Sequence, residues 1–516
     1  MRDWNRREFL ADVGRGMLVA SVGATVAHDL GLSSALADEG TETLSFGKLE
    51  PLVALMQETP VNKLLPRLVE TMRAGTELRT LVAAGALANA RTFGGQDYTG
   101  YHAFMALAPA LDMAKELPEA QRGLPVLKVL YRNTNRIQEK GGRGQELLHP
   151  VKAATLAPDR LNGEGLRQAT RTADEAGAEQ IFAALVNEAP GEAFNHLQFA
   201  IQDEVDVHRV VLAWRAWVLL DVTGKEQAHS LLRQSVRYCV DSERHRIEHK
   251  RSEPEVRTVL PKLLDQYRLL SRSLGARQAE DAWVERLSQT IYSGRREQAA
   301  DAVAAALAEG MAPEGVGEAI SLAANQLVLH DPGRRKEHAS AAKPAGSVHG
   351  DSVGVHASDA ANAWRNIARV SNQRNTVASL LVGAYHTAGQ GSGLNQDAFP
   401  LAEHLEKITQ KDAVGLVRET EAAIQDKDQS RACALVHRYG ELDHPARPVF
   451  DLLLRYAVSQ DGALHAEKYY RTVTEEFTTS RAKFRWRQLA ALARVTASEY
   501  GFPAPGYVEA CQLLKV

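Results

Sequence analysis

Apolar residues recur at three- and four-residue spacing along most of the chain. The pattern is clear in VNKLLPRLVETMRAG (residues 61–75) and in RQLAALARVTASEYG (residues 487–501). This period places apolar side chains on one face of an α-helix, and the alternating β-branched runs typical of strands are nearly absent. The sequence therefore predicts an all-α fold, either a compact irregular helical bundle or an array of paired helices.

One long segment interrupts this pattern. From about His330 to Ala357 the chain is rich in histidine and glycine, as in KPAGSVHGDSVGVHASDAANAW (residues 343–364). A loop of this length in a helical protein usually serves a function or is disordered. No fixed repeat and no low-complexity linker divide the chain elsewhere. Residues 38–516 are therefore predicted to form one helical domain, with room for two lobes that meet near residues 330–398.

The first 37 residues have the features of a twin-arginine export signal. Arg6 and Arg7 precede the weakly apolar run GMLVASVGATVA, and ALA at residues 35–37 supplies the small side chains of a cleavage site. We therefore expect a periplasmic or secreted protein that uses the twin-arginine translocase as a partner. This route exports folded proteins, which fits either a cofactor inserted in the cytoplasm or rapid folding and assembly.

Composition excludes several classes of function. A net charge of -3 provides no basic excess for nucleic acid, and no apolar run beyond the signal approaches a membrane span. There are three cysteines and no CxxCH, so covalent haem and a local thiolate zinc site are excluded. Walker and Rossmann motifs are also absent, which argues against a tightly bound dinucleotide.

Histidines near the long loop are candidate metal ligands. His349 and His356 flank a glycine-rich turn, and His330 and His386 end two apolar helices nearby. Imidazole and carboxylate groups suit iron, copper, zinc or manganese, and glycines allow separated ligands to converge. Histidines at helix C-termini also stabilise the helix dipole without any metal, and loop histidines are often simply solvated.

A fifth candidate ligand, His102, lies in the first turn of the apolar helix YHAFMALAPALDMAKEL, where it could equally be a hydrogen-bonded core residue. Asp351, Asp359 or Glu204 are predicted to orient the ligand rings by accepting their second N–H. Glu204 and His208 belong to a predicted helix over residues 195–220, four residues apart on one face. Capping and surface pairing explain that spacing equally well.

The order of these segments resembles that of the questin-oxidase-like family of helical proteins. YHAFMALAPALDMA is similar to its early histidine-bearing helix, SVHGDSVGVHASDAANAWRNIA to its paired-histidine segment, and SQDGALHAEKYYRTVTEEF to its C-terminal helix. The resemblance implies an oxygen-using oxidoreductase, with His102, His349 and His356 at matching positions. For the namesake it implies NADPH-supported ring opening of an anthraquinone. An export signal departs from that pattern, because NADPH is scarce outside the cytoplasm.

Together these features predict an exported oxidoreductase with a histidine site for a transition metal. It would act on a small organic, in particular an aromatic, substrate. The alternative is a non-catalytic helical scaffold or binding protein of the periplasm, in which the histidines are helix caps and surface groups.

Overall fold

A computed structural model describes residues 43–157, 159–186, 189–391 and 393–516. Arg6, Arg7 and the whole predicted signal lie outside these residues. The described chain is all-α, as predicted, with two isolated β-bridges in place of any sheet. Residues from Ser45 to Val516 form one compact unit.

Twenty-three α-helices make up this unit. They are α1 (Glu50–Glu58), α2 (Val61–Arg73), α3 (Leu78–Phe93), α4 (Tyr98–Glu116), α5 (Gly123–Glu139), α6 (Gly163–Arg171), α7 (Glu175–Val186), α8 (Pro190–Ile201), α9 (Val207–Thr223), α10 (Ala228–Glu248), α11 (Val256–Gln266), α12 (Asp281–Ser293), α13 (Arg296–Ala308), α14 (Pro313–Leu329), α15 (Val353–Val370), α16 (Gln373–Thr387), α17 (Ala402–Glu406), α18 (Ala413–Gln425), α19 (Gln429–Glu441), α20 (Arg447–Ser459), α21 (His465–Thr479), α22 (Ala482–Glu499) and α23 (Tyr507–Leu514). None of the described helices is long and apolar enough to cross a membrane.

Four helices in the interior form a closed ring of contacts. Helix α9 packs against α4 and α15, and α21 packs against the same two helices from the other side. Alanine and leucine are the commonest buried residues of α4, α9 and α15 taken together, whereas α21 buries mainly polar and aromatic side chains. The remaining helices surround this central group, which makes it the framework for any internal site.

Side-chain caps fix the starts of three of these central helices. Asp97 accepts a hydrogen bond from Gly100 N in α4, Asp206 from His208 N in α9, and Ser352 from Val355 N in α15. Each cap satisfies a backbone donor that the first helical turn leaves without a partner. The start of α21 instead follows Ala463 and Leu464, which both adopt positive φ.

Two of the predicted boundaries were wrong. The cap at Asp206 starts a new helix, so the predicted helix over residues 195–220 is two helices, α8 and α9. Helix α15 begins at Val353, which places His356 on a helix and shortens the irregular segment to residues 330–352. In both cases a capping residue was read as part of the neighbouring element.

Gly354 explains how α15 can pack so closely against α14. A Cβ at this position would lie 2.6 Å from Val328 N and 2.8 Å from Leu327 C, both backbone atoms of α14 that cannot move aside. Glycine is therefore required by the contact between two helix backbones. The same contact fixes the first turn of α15, two residues before His356.

We predict that Gly354→Ala lowers the free energy of unfolding by about 1–3 kcal/mol, the usual cost of overpacking a core. Gly191→Ala is the matched control, because Gly191 is also the second residue of a helix but has open space around its Cβ position. Urea unfolding followed by circular dichroism should show a change of less than about 1 kcal/mol for the control. Equal changes in the two variants would contradict the packing argument.

Candidate metal centre

The N-terminal ends of the four central helices meet at one place, and each contributes a histidine. His102 lies in the second turn of α4, His208 and His356 lie in the first turns of α9 and α15, and His465 is the first residue of α21. Helix N-termini carry partial positive charge, which disfavours protonated imidazole and favours the neutral ring. The helix dipoles therefore favour the neutral form of His102, His356 and His465.

The four imidazoles form a closed circle of contacts, in the same order as the helices that carry them. Ring centroids are 4.9 Å apart for His102 and His208, 5.7 Å for His208 and His356, and 5.2 Å for His356 and His465. The distance from His465 back to His102 is 5.0 Å. Each imidazole thus contacts two others, although the residues span more than three hundred positions in the sequence.

Three of these rings have the geometry of a metal site. One nitrogen from each of His102, His356 and His465 lies within 4.8 Å of the other two. The Nε2 atoms of His356 and His465 are 3.2 Å apart. Two nitrogens bound to one metal at about 2.1 Å lie roughly 3.0–3.4 Å from each other at ordinary coordination angles. The spacing therefore fits a shared ion, and it equally fits a hydrogen bond from one neutral ring to the other.

The hydrogen bonds of His102 leave its inner nitrogen available. Its Nδ1 lies 2.7 Å from Tyr98 O, a carbonyl that can only accept, so Nδ1 carries the proton. Its Nε2 is buried and has no hydrogen-bond partner. A buried nitrogen lone pair without a partner is costly, and a metal ion would satisfy it.

His208 is held by Asp206 at the edge of the same cluster. Its Nδ1 lies 3.3 Å from Asp206 Oδ1, and its Nε2 is buried without a partner. Burial alone would raise the pKa of Asp206, but hydrogen bonds from His208 and from the Tyr238 hydroxyl lower it overall, so the carboxyl stays ionised. A carboxylate behind an imidazole fixes the orientation of the ring, as is common near metals.

The electrostatics keep the triad neutral. Burial, followed by repulsion from Lys468, lowers the pKa of His102 to about 2 and that of His356 to about 3. The same two causes hold the pKa of His465 well below its usual value. Metal ligation requires the unprotonated imidazole, so the site needs no deprotonation before it binds an ion at neutral pH.

A layer of tyrosines separates the imidazoles from an open surface pocket. The Tyr98 ring lies 4.4 Å from His102, and the Tyr101 ring lies 5.1 Å from His102 and 5.2 Å from His208. Tyr98, Tyr101 and Tyr238 line the pocket together with polar groups of α10. Burial is the first cause of a raised pKa for each tyrosine, so all three phenols remain protonated near neutral pH.

The structure brings together two of the five predicted ligands, His102 and His356. His330 caps α14, with Nδ1 3.0 Å from Asn395 O, and His386 accepts a hydrogen bond from Trp364 Nε1 at 3.2 Å. His349 is buried near the cluster, 3.9 Å from Glu499, but does not belong to the triad. The triad therefore includes His102 and His356 but not His330, His349 or His386.

The three acidic residues predicted to orient ligands have other contacts. Asp351 pairs with Arg334 at 2.7 Å and with Lys343 at 2.6 Å. Glu204 pairs with Arg209 of α9 at 2.8 Å. Asp359 accepts a hydrogen bond from Thr472 and lies within electrostatic range of Lys468. The carboxylate that does orient an imidazole is Asp206.

Sequence reasoning missed His465 as a ligand and the role of His208. The sequence signals available were the Asp206-Val-His208 spacing of a helix N-cap and the Gly462-Ala-Leu-His465 turn before a strongly helical segment. Both signals give a helix start without indicating that two distant starts meet.

No protein-family model matches the chain, and no curated protein or solved structure matches it either. The resemblance to the questin-oxidase-like family stays a prediction.

We predict that the metal-free protein loses stability as the pH falls below about 6.5. The unfolded chain binds protons on histidine near that pH, whereas the folded triad resists protonation until much lower pH. Each such histidine contributes up to about 1.4 kcal/mol per pH unit. When urea unfolding is measured between pH 7 and pH 4, the free energy of unfolding should depend less steeply on pH for His356→Gln than for the wild type. The control His437→Gln, on the surface beside Glu441, should keep the wild-type slope. Identical slopes in all three proteins would contradict the assignment of neutral buried rings.

Proposed function

We propose that this protein is a metal-dependent oxidoreductase that acts on a small organic substrate. The observation that carries the proposal is the triad of His102, His356 and His465, whose ring nitrogens lie within 4.8 Å of one another. Imidazole ligands suit iron, copper and zinc, and a site with three protein ligands leaves coordination positions open for substrate or oxygen. Redox chemistry is favoured over hydrolysis by the resemblance to the questin-oxidase-like family.

The protein groups around the triad have distinct roles in this proposal. His208, held by Asp206, contributes a further buried ring nitrogen at the edge of the cluster. Tyr98, Tyr101 and Tyr238 provide aromatic surface and protonated hydroxyl groups between the cluster and solvent. A planar organic molecule in the surface pocket would stack on these rings, and the tyrosine layer would limit the entry of water.

We also propose that the protein acts outside the cytoplasm, after export through the twin-arginine pathway. The support is the sequence pattern of Arg6 and Arg7, the apolar run and the small-residue cleavage site. Folding before export would allow a metal to be inserted in the cytoplasm. An exported enzyme would draw electrons from its substrate or from a donor other than NADPH.

Metal content tests the proposal directly. Protein purified from its native compartment should contain about one transition metal ion per chain by elemental analysis. His356→Ala and His465→Ala should each lose most of that metal and any oxygen consumption with phenolic or quinone substrates. His330→Ala and His386→Ala are matched controls, because both histidines lie in helix-end contacts outside the triad. Far-ultraviolet circular dichroism checks that each variant keeps its helices.

Two outcomes would contradict the proposal. Triad variants that retain full metal content would show that any bound ion lies elsewhere. Wild-type protein without metal, and without uptake of iron, copper or zinc on addition, would favour the non-catalytic scaffold instead.

A further inference from the structure

Two buried cations close to the triad have no partner. Nine lysine and arginine side chains are buried in the described chain, and seven of them make hydrogen bonds or ion pairs. The exceptions are Arg215, 3% exposed, and Lys468, 2% exposed. Neither makes a hydrogen bond or an ion pair within 4.0 Å to any described residue, and Arg215 Nε is fully enclosed. Buried guanidinium and ammonium groups are normally paired, so these two require an explanation.

Both cations follow two of the four histidines along the same helices, in the direction away from the helix N-termini. Lys468 is one helical turn beyond His465 on α21, and Arg215 is two turns beyond His208 on α9, about 10 Å along the axis. Lys468 is the strongest charged neighbour of all three triad histidines. Asp359, one turn beyond His356 on α15, lies within electrostatic range of both cations. The charged layer is therefore adjacent to the proposed metal centre.

The acidic groups around this layer make their direct contacts with residues other than the two cations. Glu467 pairs with Lys128 at 2.7 Å, and Glu475 pairs with Arg471 at 2.8 Å. Asp112, which is also within electrostatic range of Arg215, pairs with Lys115 at 2.6 Å. Asp359 is in range of both cations and accepts a hydrogen bond from Thr472. Among the described residues, neither Arg215 nor Lys468 therefore has a carboxylate in direct contact.

We propose that Arg215 and Lys468 form a binding site for a carboxylate next to the metal centre. One bound carboxylate would accept N–H donors from both side chains, which make no hydrogen bond or ion pair to the described residues. The planar guanidinium of Arg215 matches the two oxygens of a carboxylate, and Lys468 adds a compact positive charge. This inference deepens the proposed function and rests on it, because the carboxylate would belong to the substrate or to a small anion bound beside it.

Some of the charged groups near the two cations line a surface pocket. Arg215 interacts electrostatically with Glu475, Arg471 and Asp112. Glu475 and Arg471 line an open pocket on the side of the protein formed by α20 and α21.

Equilibrium dialysis with radiolabelled formate, acetate and benzoate tests the inference on the full chain, after chelators have removed metal. Wild-type protein should bind about one carboxylate per chain in a saturable manner. Arg215→Met and Lys468→Met should each weaken binding at least about tenfold, because each removes one charged donor. Lys483→Met is the control, since Lys483 is half-exposed on the surface. Neither substitution removes a hydrogen bond or an ion pair, so we expect both variants to fold. Circular dichroism checks this expectation.

Competition distinguishes the two sources of the carboxylate. Displacement of formate by benzoate would indicate the carboxylate of an organic substrate, whereas binding of formate alone would indicate a small free anion. Absence of saturable binding in the wild type, or equal binding in wild type and both variants, would overturn the inference and leave buried water as the partner of the two cations. Because the assay uses metal-free protein, its result is independent of whether the triad binds metal.

Discussion

Burial of imidazole is the constraint on which the rest of the site depends. A ring nitrogen taken out of water must find a partner, and a buried imidazolium would cost far more than a neutral ring. The fold meets this constraint by placing four histidines at the N-terminal ends of four central helices. The helix dipoles and Lys468 oppose protonation of three of them, His102, His356 and His465. The backbone carbonyl of Tyr98 and the carboxylate of Asp206 then hold two of the rings by Nδ1. This leaves the Nε2 atoms of His102 and His208 buried and without partners.

The same four helices explain why charge accumulates below the histidines. Residues three, four or seven positions further along each helix lie on the same face and occupy the next layers of the bundle. That layer holds Lys468, Asp359 and Arg215 where a purely structural core would carry leucine or valine. Such residues are unfavourable for stability unless they are paired. Their position beside the triad supports the proposed binding of a carboxylate there.

The sequence was sufficient for the helical class, and for His102 and His356 as members of one cluster. It was insufficient for the cluster itself, because periodicity identifies which face of a helix is buried but not which helix ends meet. His330 and His386 were attractive candidates as histidines at helix ends, yet both are at C-termini, where local carbonyl and indole contacts use their nitrogens. His465 was overlooked because the turn before it depends on positive φ at Ala463 and Leu464, residues that do not normally indicate a turn.

The central claim is that His102, His356 and His465 bind one metal ion between them. The most direct measurement is anomalous X-ray scattering, recorded at the absorption edge of the bound metal, from crystals of the metal-loaded protein. The account predicts one strong peak about 2.0–2.2 Å from a ring nitrogen of each of the three histidines. A peak at another position, or no peak while Nε2 of His356 and Nε2 of His465 remain in direct hydrogen-bond contact, would contradict it.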